Sequence, residues 1–463
     1  MNKKQVFKLG VCPIGKVLFN HEDTVRQKNM MYKKLDELGI EYVSIEGDVP
    51  DGLVRTMDQV EIVVKALKAK GADALFIPHC NYGTEGAAAS IARAMDMPTL
   101  LWASRDEYPV ADGSRLRDSQ CGCFATSRVL HLMGVKFDYI NNCHVDHPDF
   151  AKGLDRFIRA ARIVKRVKTA RLGQLGMRIP FFWCTINDEA TLLKRFGTQV
   201  ESMDIMDILP RVDEKLKKEH KLYEERLKNI PWIDYSNISN YEGMYKSLCL
   251  SDVLVELADE LRLDAYGFQL YNGILNYVGE GGGLGLLELE EHLPVAAETD
   301  MYGALSGIIA EAAQGETEPS MCLEYTIRHP EEENTILMWH AFAAPSQRHP
   351  SVEKIKMLEP SILRGFPPCS PKFELREGDM TICRFDGLDG KFYLGSGEGV
   401  SKKSINTREV YTWLEVENWK RWERKLIEHP FIHHSACVYG RYSDSIELAA
   451  KFLGVESVRF DKD

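Results

Sequence analysis

Val6-Phe7-Lys8-Leu9-Gly10-Val11 and Ala74-Leu75-Phe76-Ile77 are short apolar runs; between them lie two charge-rich amphipathic stretches, 22–38 and 57–70, and a further short run at 41–45. Short apolar runs alternating with helical periodicity are the pattern of βαβ units, whose strands are covered on both faces. The alternation continues through the helix-like 85–95, the strand-like 99–103, the helix-like 125–133 and the strand-like 137–140. A doubly wound parallel sheet is expected. The helical stretch 148–170 then carries Arg156, Arg159, Arg162, Lys165, Arg166 and Lys168, and a glycine-punctuated segment, 171–177, follows it. A domain boundary is placed there, and the basic face reads as a solvated or intersubunit surface.

A second unit repeats this logic, with the strand-like 199–203, charged and amphipathic helices at 211–228 and 241–263, and the strand-like 265–270. Beyond about residue 315 the texture changes to short runs with turn signals: 322–327, 335–340, 380–385, 391–394 and 436–439. These read as β structure with a helical tail. The expected fold class is α/β, with two doubly wound α/β domains at 1–168 and 169–310 followed by a β-rich domain at 311–463.

Composition excludes several function classes. The chain has 463 residues, 44% of them hydrophobic, and a formal net charge of -11. That is enough for more than one core and leaves no broad basic field for nucleic acid or an anionic membrane. The apolar run in 1–15 is broken by Lys8 and Pro13, so it does not read as a signal peptide, and no stretch has the length of a membrane span. Eleven cysteines are scattered, with Cys121 and Cys123 the only close pair. Such a set reads as reduced thiols in the cytoplasm.

Several motifs are decoys. Gly10-Val-Cys-Pro-Ile-Gly15-Lys16-Val17 lacks the magnesium-binding Ser or Thr of a phosphate loop, because Val17 stands in its place. Gly279-Glu-Gly-Gly-Gly-Leu-Gly285 fits no register of the dinucleotide fingerprint and reads as a flexible loop. His21-Glu22 lacks the second histidine of a zinc-protease helix, since Val25 occupies its position.

What remains are polar residues within or at the ends of apolar runs: Glu298 and Asp300 in Pro294-Val-Ala-Ala-Glu-Thr-Asp300, Glu324 in Met321-Cys-Leu-Glu324, His340 in Thr335-Ile-Leu-Met-Trp-His340, and His433-His434. Singly, each has an ordinary reading: a helix cap for Glu298 or Asp300, a surface charge for Glu324, a satisfied core histidine for His340. Together they make a set of carboxylates and imidazoles suited to Mn²⁺, with Co²⁺, Mg²⁺, Fe²⁺ and Zn²⁺ as alternatives. Spacing alone does not bring them together.

At these residues the sequence resembles the L-arabinose isomerase and L-fucose isomerase superfamily, in order over nearly the whole chain. Ala297-Glu298-Thr-Asp300-Met-Tyr-Gly-Ala-Leu305 is similar to the family's Glu-x-Asp segment, and Glu324-Tyr-Thr, Trp339-His340 and His433-His434 resemble the later ligand segments. Residues 73–106, with Pro78-His79-Cys-Asn81-Tyr82, resemble the N-terminal domain, and Gly378-Asp-Met-Thr-Ile-Cys-Arg384-Phe the strands of the C-terminal barrel. The Glu298 segment is closer to the fucose type and the Glu324 segment to the arabinose type, while 279–285 matches neither.

The resemblance implies a barrel-like C-terminal domain and homo-oligomers, trimers or hexamers with tetramers or dimers as alternatives. It also implies aldose–ketose exchange on a C5 or C6 sugar through a cis-enediol. L-arabinose, L-fucose, D-arabinose and sulfoquinovose are the expected substrates. Glu298 and Glu324 would serve as both metal ligands and the base and acid, and His340 and His434 would complete the metal shell. Asp300, His433 and Trp339 would stand behind them as orienting or substrate residues, with His79 and Asn81 as sugar contacts. The alternatives are another divalent-metal hydrolase or lyase acting on a carbohydrate, and a non-catalytic sugar-binding protein.

Overall fold

The computed structural model describes residues 6–269, 273–278, 283–362 and 370–463. The chain divides into two compact units, one built on Gln5–Lys165 with Lys451–Leu453, the other on Arg166–Ala450 with Gly454–Asp463.

In the first unit β1 (Leu9–Val11), β2 (Tyr42–Ser44), β3 (Ala74–His79), β4 (Thr99–Ser104) and β5 (Phe137–Cys143) form a parallel sheet in the order β2-β1-β3-β4-β5. Helices α1 (His21–Glu37), α2 (Val60–Ala69), α3 (Glu85–Met95), α4 (Ser119–Leu132) and α5 (Pro148–Thr169) follow these strands in turn. Every residue of β3 and β4 is buried. Only a sheet covered on both faces does this, which is why these strands read as unbroken apolar runs. Helix α1 starts where the Asn20 side chain accepts a hydrogen bond from the Asp23 amide at 2.8 Å, with Glu22 and Asp23 in its first turn.

The basic face of α5 carries ion pairs that its sequence does not announce. Arg156 pairs with Asp138 at 2.6 Å, Arg159 with Asp155 at 2.8 Å and Lys165 with Asp73 at 3.0 Å, while Arg166 pairs with Asp264 at 2.8 Å and Glu316 at 2.9 Å. Much of the face is occupied by acidic partners from the same chain. A run of like charges in sequence does not reveal the carboxylates that fold against it.

The second unit contains β6 (Arg171–Leu175), β7 (Gln199–Met203), β8 (Ile233–Asp234), β9 (Ala265–Phe268) and β10 (Val295–Ala297). Four of these form a parallel sheet in the order β10-β9-β6-β7. Its helices are α6 (Glu189–Phe196), α7 (Ile205–Lys228), α8 (Tyr241–Leu261), α9 (Gly273–Val278), α10 (Gly283–Glu290) and α11 (Met301–Gln314). Of the glycine-rich segment 279–285, residues 279–282 lie outside the described residues, and the remainder opens α10 rather than a loop. A Cβ on Gly285 would sit 2.0 Å from the Ser247 carbonyl oxygen of α8, so this glycine allows two helices to approach closely.

The rest of this unit is β structure: β11 (Met321–Arg328), β12 (Thr335–His340), β13 (Ile355–Leu358), β14 (Ser370–Glu374), β15 (Gly378–Leu388), β16 (Lys391–Lys402), β17 (Val410–Glu415), β18 (His434–Tyr439) and β19 (Glu456–Arg459). These strands and β8 run in the order β19-β16-β15-β18-β11-β12-β17-β14-β13-β8. A further pairing of β16 with β17 closes β16, β15, β18, β11, β12 and β17 into a six-stranded barrel. The β15–β16 hairpin turns at Asp389-Gly390, both at positive φ (51° and 73°), the turn geometry that matches strand twist. One apolar cluster joins Leu175, Phe268 and Ala297 of the parallel sheet to Met321, Leu323, Met338, Ile382 and Cys437 of the barrel.

The described cysteines are free, and all but Cys121 and Cys184 are buried. Among the described residues no helix is long and apolar enough to cross a membrane.

Candidate functional site

Strand β10 ends at Ala297, and the chain turns through Glu298 and Thr299 with φ of 62° and 58° before Asp300 caps α11. Left-handed backbone costs a non-glycine residue roughly 1–2 kcal/mol, so neighbours must hold this turn. The Thr299 amide donates to the Phe268 carbonyl at 3.3 Å and the Asp300 amide to the Ala297 carbonyl at 3.2 Å. Thr299 Oγ1 donates to the Met177 carbonyl at 3.3 Å, and Thr185 Oγ1 donates to the Glu298 carbonyl at 3.4 Å. Glu298 is thereby fixed at the carboxyl end of a parallel strand, where open α/β sheets present ligand groups.

The barrel supplies the other donors. Glu324 lies within β11, and strand register sets it opposite Trp339 of β12 and His434 of β18. His340 is the last residue of β12. The donor atoms of Glu298, Glu324, His433 and His434 all lie within 4.8 Å of one another. His434 Nε2 is 3.2 Å from Glu298 Oε2 and 3.5 Å from Glu324 Oε1, and His340 Nε2 is 3.5 Å from the same Glu324 oxygen. His433 is partly exposed and sits beside His434, their ring centroids 4.3 Å apart.

The electrostatics match this crowding. Burial pushes the His434 imidazole down, but Asp300, Glu298 and Glu324 overcome this and hold it well above its ordinary value. Burial pushes the Glu324 carboxyl up, and His434, His340 and His433 more than reverse this, bringing it to about 2. His340 is lowered by burial, against the pull of Glu324. His433 is lowered by burial and then by His434. Several carboxylates converge on one imidazole, a charge pattern that favours a cation.

The donor set fits a divalent metal. Neither ring nitrogen of His340 nor Nε2 of His434 makes a hydrogen bond, although all three are buried. Buried polar atoms are nearly always hydrogen-bonded, so imidazole nitrogens left over beside two carboxylates are suited to an ion.

The remaining residues fall around or away from this cluster. Asp300 Oδ2 lies 3.0 Å from His434 Nδ1, behind the ring. The Trp339 indole donates to the Arg408 carbonyl at 2.9 Å, and its ring lies 6.1 Å from that of His340. His79 and Asn81 belong to the other compact unit, both buried. There Asn81 accepts from the amides of Lys16 (2.8 Å) and Gly83 (3.0 Å) and donates to Thr24 Oγ1 (2.8 Å), tying the end of β3 to the loop after β1.

Sequence reasoning did not assign Arg384 a part in the site. It is fully buried on β15 and bound to Asp300 and Asp386. The available signal was a lone arginine within Ile382-Cys-Arg384-Phe385, because arginine is fully buried almost only when paired.

Residues 10–168 match the family described as fucose/sulfoquinovose isomerase, N-terminal domain. Over 376 residues the chain is 23% identical to a sulfoquinovose isomerase of Alkalicoccus urumqiensis, covering 79% of this chain and 81% of the relative. The family match accounts for the first unit, and the longer alignment is too extensive to be confined to it. The first unit thus carries a fucose/sulfoquinovose isomerase N-terminal domain, and over most of its length the chain is similar to a sulfoquinovose isomerase.

Proposed function

We propose that the protein is a divalent-metal-dependent aldose–ketose isomerase that acts on a C5 or C6 sugar through a cis-enediol. The isomerase class follows from the family and the relative; the metal, the mechanism and the sugar are our reading. Mn²⁺ is the first candidate ion. Sulfoquinovose is the first sugar to test, because it is named in the relative's activity, followed by L-fucose, L-arabinose and D-arabinose. The observation that carries the proposal is the convergence of Glu298, Glu324, His433 and His434 donor atoms within 4.8 Å.

Exchanging an aldose with a ketose requires a base to remove a proton from one carbon and an acid to return it to the next on the same face of a planar intermediate. Glu298 and Glu324 border one cluster and come from different elements, which suits them to reach neighbouring atoms along a sugar's C1–C2 bond. Glu324, held near 2 by its histidine neighbours, is ionised at neutral pH. His340 and His434, with the two carboxylates, would hold the ion, and His433 is close enough to join them. A bound divalent ion supplies Lewis-acid polarisation of the sugar's carbonyl and adjacent hydroxyl.

The same proposal includes a homo-oligomer in the cytoplasm, trimeric or hexameric, with His79 and Asn81 as sugar contacts in a neighbouring copy's pocket. It also retains a three-part division near residues 168 and 310. Light scattering and limited proteolysis test the assembly and the division. The function is tested by assaying EDTA-stripped protein with and without Mn²⁺ against the four sugars. Metal-dependent ketose formation that is lost in Glu298→Gln and Glu324→Gln is expected. Bound metal with no ketose from any of a wide panel of aldoses would shift the reading to a carbohydrate hydrolase or lyase.

A further inference from the structure

We propose that Arg384 is a positioning residue that acts through Asp300 to fix the ring of His434, so that Nε2 faces the metal cluster with its lone pair; this rests on the metal-site reading above. Arg384 is fully buried on β15, and a buried guanidinium needs partners for its donors. Nη1 donates to Asp300 Oδ2, Nη2 to Asp300 Oδ1 at 3.1 Å, and Nε to Asp386 Oδ2 at 3.0 Å. The first two bonds form a fork that sets the plane of the Asp300 carboxylate.

Asp300 has two further contacts. Its Oδ1 accepts from the Gly303 amide at 2.9 Å, capping α11, and its Oδ2 lies 3.0 Å from His434 Nδ1. An ionised carboxylate offers about four lone-pair sites, and these four contacts use them. Asp300 therefore has no site to spare for a metal, and its remaining direction is toward His434. A carboxylate only accepts, so Nδ1 donates, and in the neutral ring that can bind a metal Nε2 carries the lone pair toward Glu298 and Glu324.

The residues flanking Arg384 hold the frame. The Phe385 amide donates to Ser306 Oγ at 2.8 Å, Ser306 Oγ donates to the Tyr302 carbonyl at 2.7 Å, and Cys383 Sγ donates to the Ser306 carbonyl at 3.5 Å. Strand β15 thus grips α11 on both sides of the fork. A lysine at 384 would supply the charge without the fork.

The test is Mn²⁺ binding by calorimetry on EDTA-stripped protein, together with the visible spectrum of the Co²⁺-loaded protein. The proteins are the wild type, Arg384→Lys, Asp386→Asn, His434→Ala and the double variant Arg384→Lys/His434→Ala. Arg384→Lys is expected to raise the Mn²⁺ Kd roughly 10–100-fold and to shift the Co²⁺ bands. Asp386→Asn, which frees only the third anchor, is expected to do the same by a smaller factor. In the His434→Ala background Arg384→Lys should add less than about twofold, because the route through His434 is gone.

A folded Arg384→Lys with wild-type Kd and Co²⁺ spectrum, or with its full effect undiminished in the His434→Ala background, overturns the proposal. If Arg384→Lys does not fold, Asp386→Asn decides by the same measurements. Wild-type protein that binds neither ion overturns the metal-site reading and this proposal with it. Wild-type binding with unchanged variants overturns only the role of Arg384.

Discussion

Acidification should weaken the first unit through His79. This residue ends β3 fully buried, with Nδ1 3.0 Å from the Tyr82 carbonyl and Nε2 without a hydrogen bond. Burial lowers the imidazole from 6.5 to about 4, against the hydrogen bond to Tyr82 and the nearby Glu85 carboxylate. The folded pKa lies below the unfolded one, so as pH falls the unfolded chain takes up the proton first. Stability is intact above about pH 6.5, declines below it, and the loss is complete below about pH 4. At about 1.4 kcal/mol per pH unit the full loss is about 3 kcal/mol, of which about 2 kcal/mol is reached by pH 5. Carboxylates titrate in the same range, so the comparison is with His79→Gln, whose amide can donate to Tyr82 but does not titrate. Urea equilibration at each pH, followed by a hydrogen-exchange pulse at one fixed pH, reads the protection of β3 and β4. The wild type should lose about 2 kcal/mol more than the variant between pH 7 and pH 5. Parallel pH profiles for the two proteins would refute the reasoning.

With Mn²⁺ present, Glu298→Gln and Glu324→Gln should each lower kcat by about 10²–10⁴-fold, because the amide neither takes nor returns a proton; a smaller loss in a coupled assay argues against that role. Glu311 on α11 is buried and accepts from the Ser320 amide (3.0 Å) and hydroxyl (3.2 Å). Burial raises it from 4.5 to about 7 against those bonds, so its ionisation costs stability increasingly as pH rises through that range. Glu311→Gln should therefore gain up to about 3 kcal/mol at pH 8 and lose most of that gain by pH 5, as read by thermal unfolding at both values. Gly122 of α4 packs against the turn after β3, where a Cβ would meet the Tyr82 carbonyl oxygen at 1.6 Å. Gly122→Ala should cost about 1–3 kcal/mol or more, lowering Tm by roughly 2–4 °C per kcal/mol, and an unchanged Tm would mean that α4 sits elsewhere.

The elements legible in the sequence are those whose burial is uniform. Strands β3 and β4 are covered on both faces, and α3 has one apolar face, so their periods survive in the letters. Partner-dependent features are not legible. The ion pairs of the α5 arginines are not legible because Asp138, Asp264 and Glu316 are distant in sequence. The glycine-rich 279–285 reads as flexible, although Gly285 lies within α10, where the Ser247 carbonyl requires it. Glu298, Glu324 and His434 stand out by residue type and take their roles from a resemblance, since nothing in their spacing states that Glu324 and His434 are register partners. The part of Arg384 is not legible because its fork is made with a carboxylate on another element.

That last case exposes how the cluster is assembled. Glu298 comes from a turn at the end of a parallel strand, whereas Glu324, His340, His433 and His434 belong to barrel strands or their margins. Neither half holds the set alone, so the donors meet only when the sheet and barrel pack on their shared core. The left-handed pair Glu298-Thr299 would relax if the turn were free, and its strain must be offset by the hydrogen bonds from Thr185 and Thr299 and by the Asp300–Arg384 fork. A ligand that binds only the assembled cluster stabilises that packing by RT ln(1 + [L]/Kd), about 4 kcal/mol at a thousandfold excess over Kd. Such a ligand would act on both sides of the seam, because the residues that orient its donors are also those that fasten α11 to the barrel.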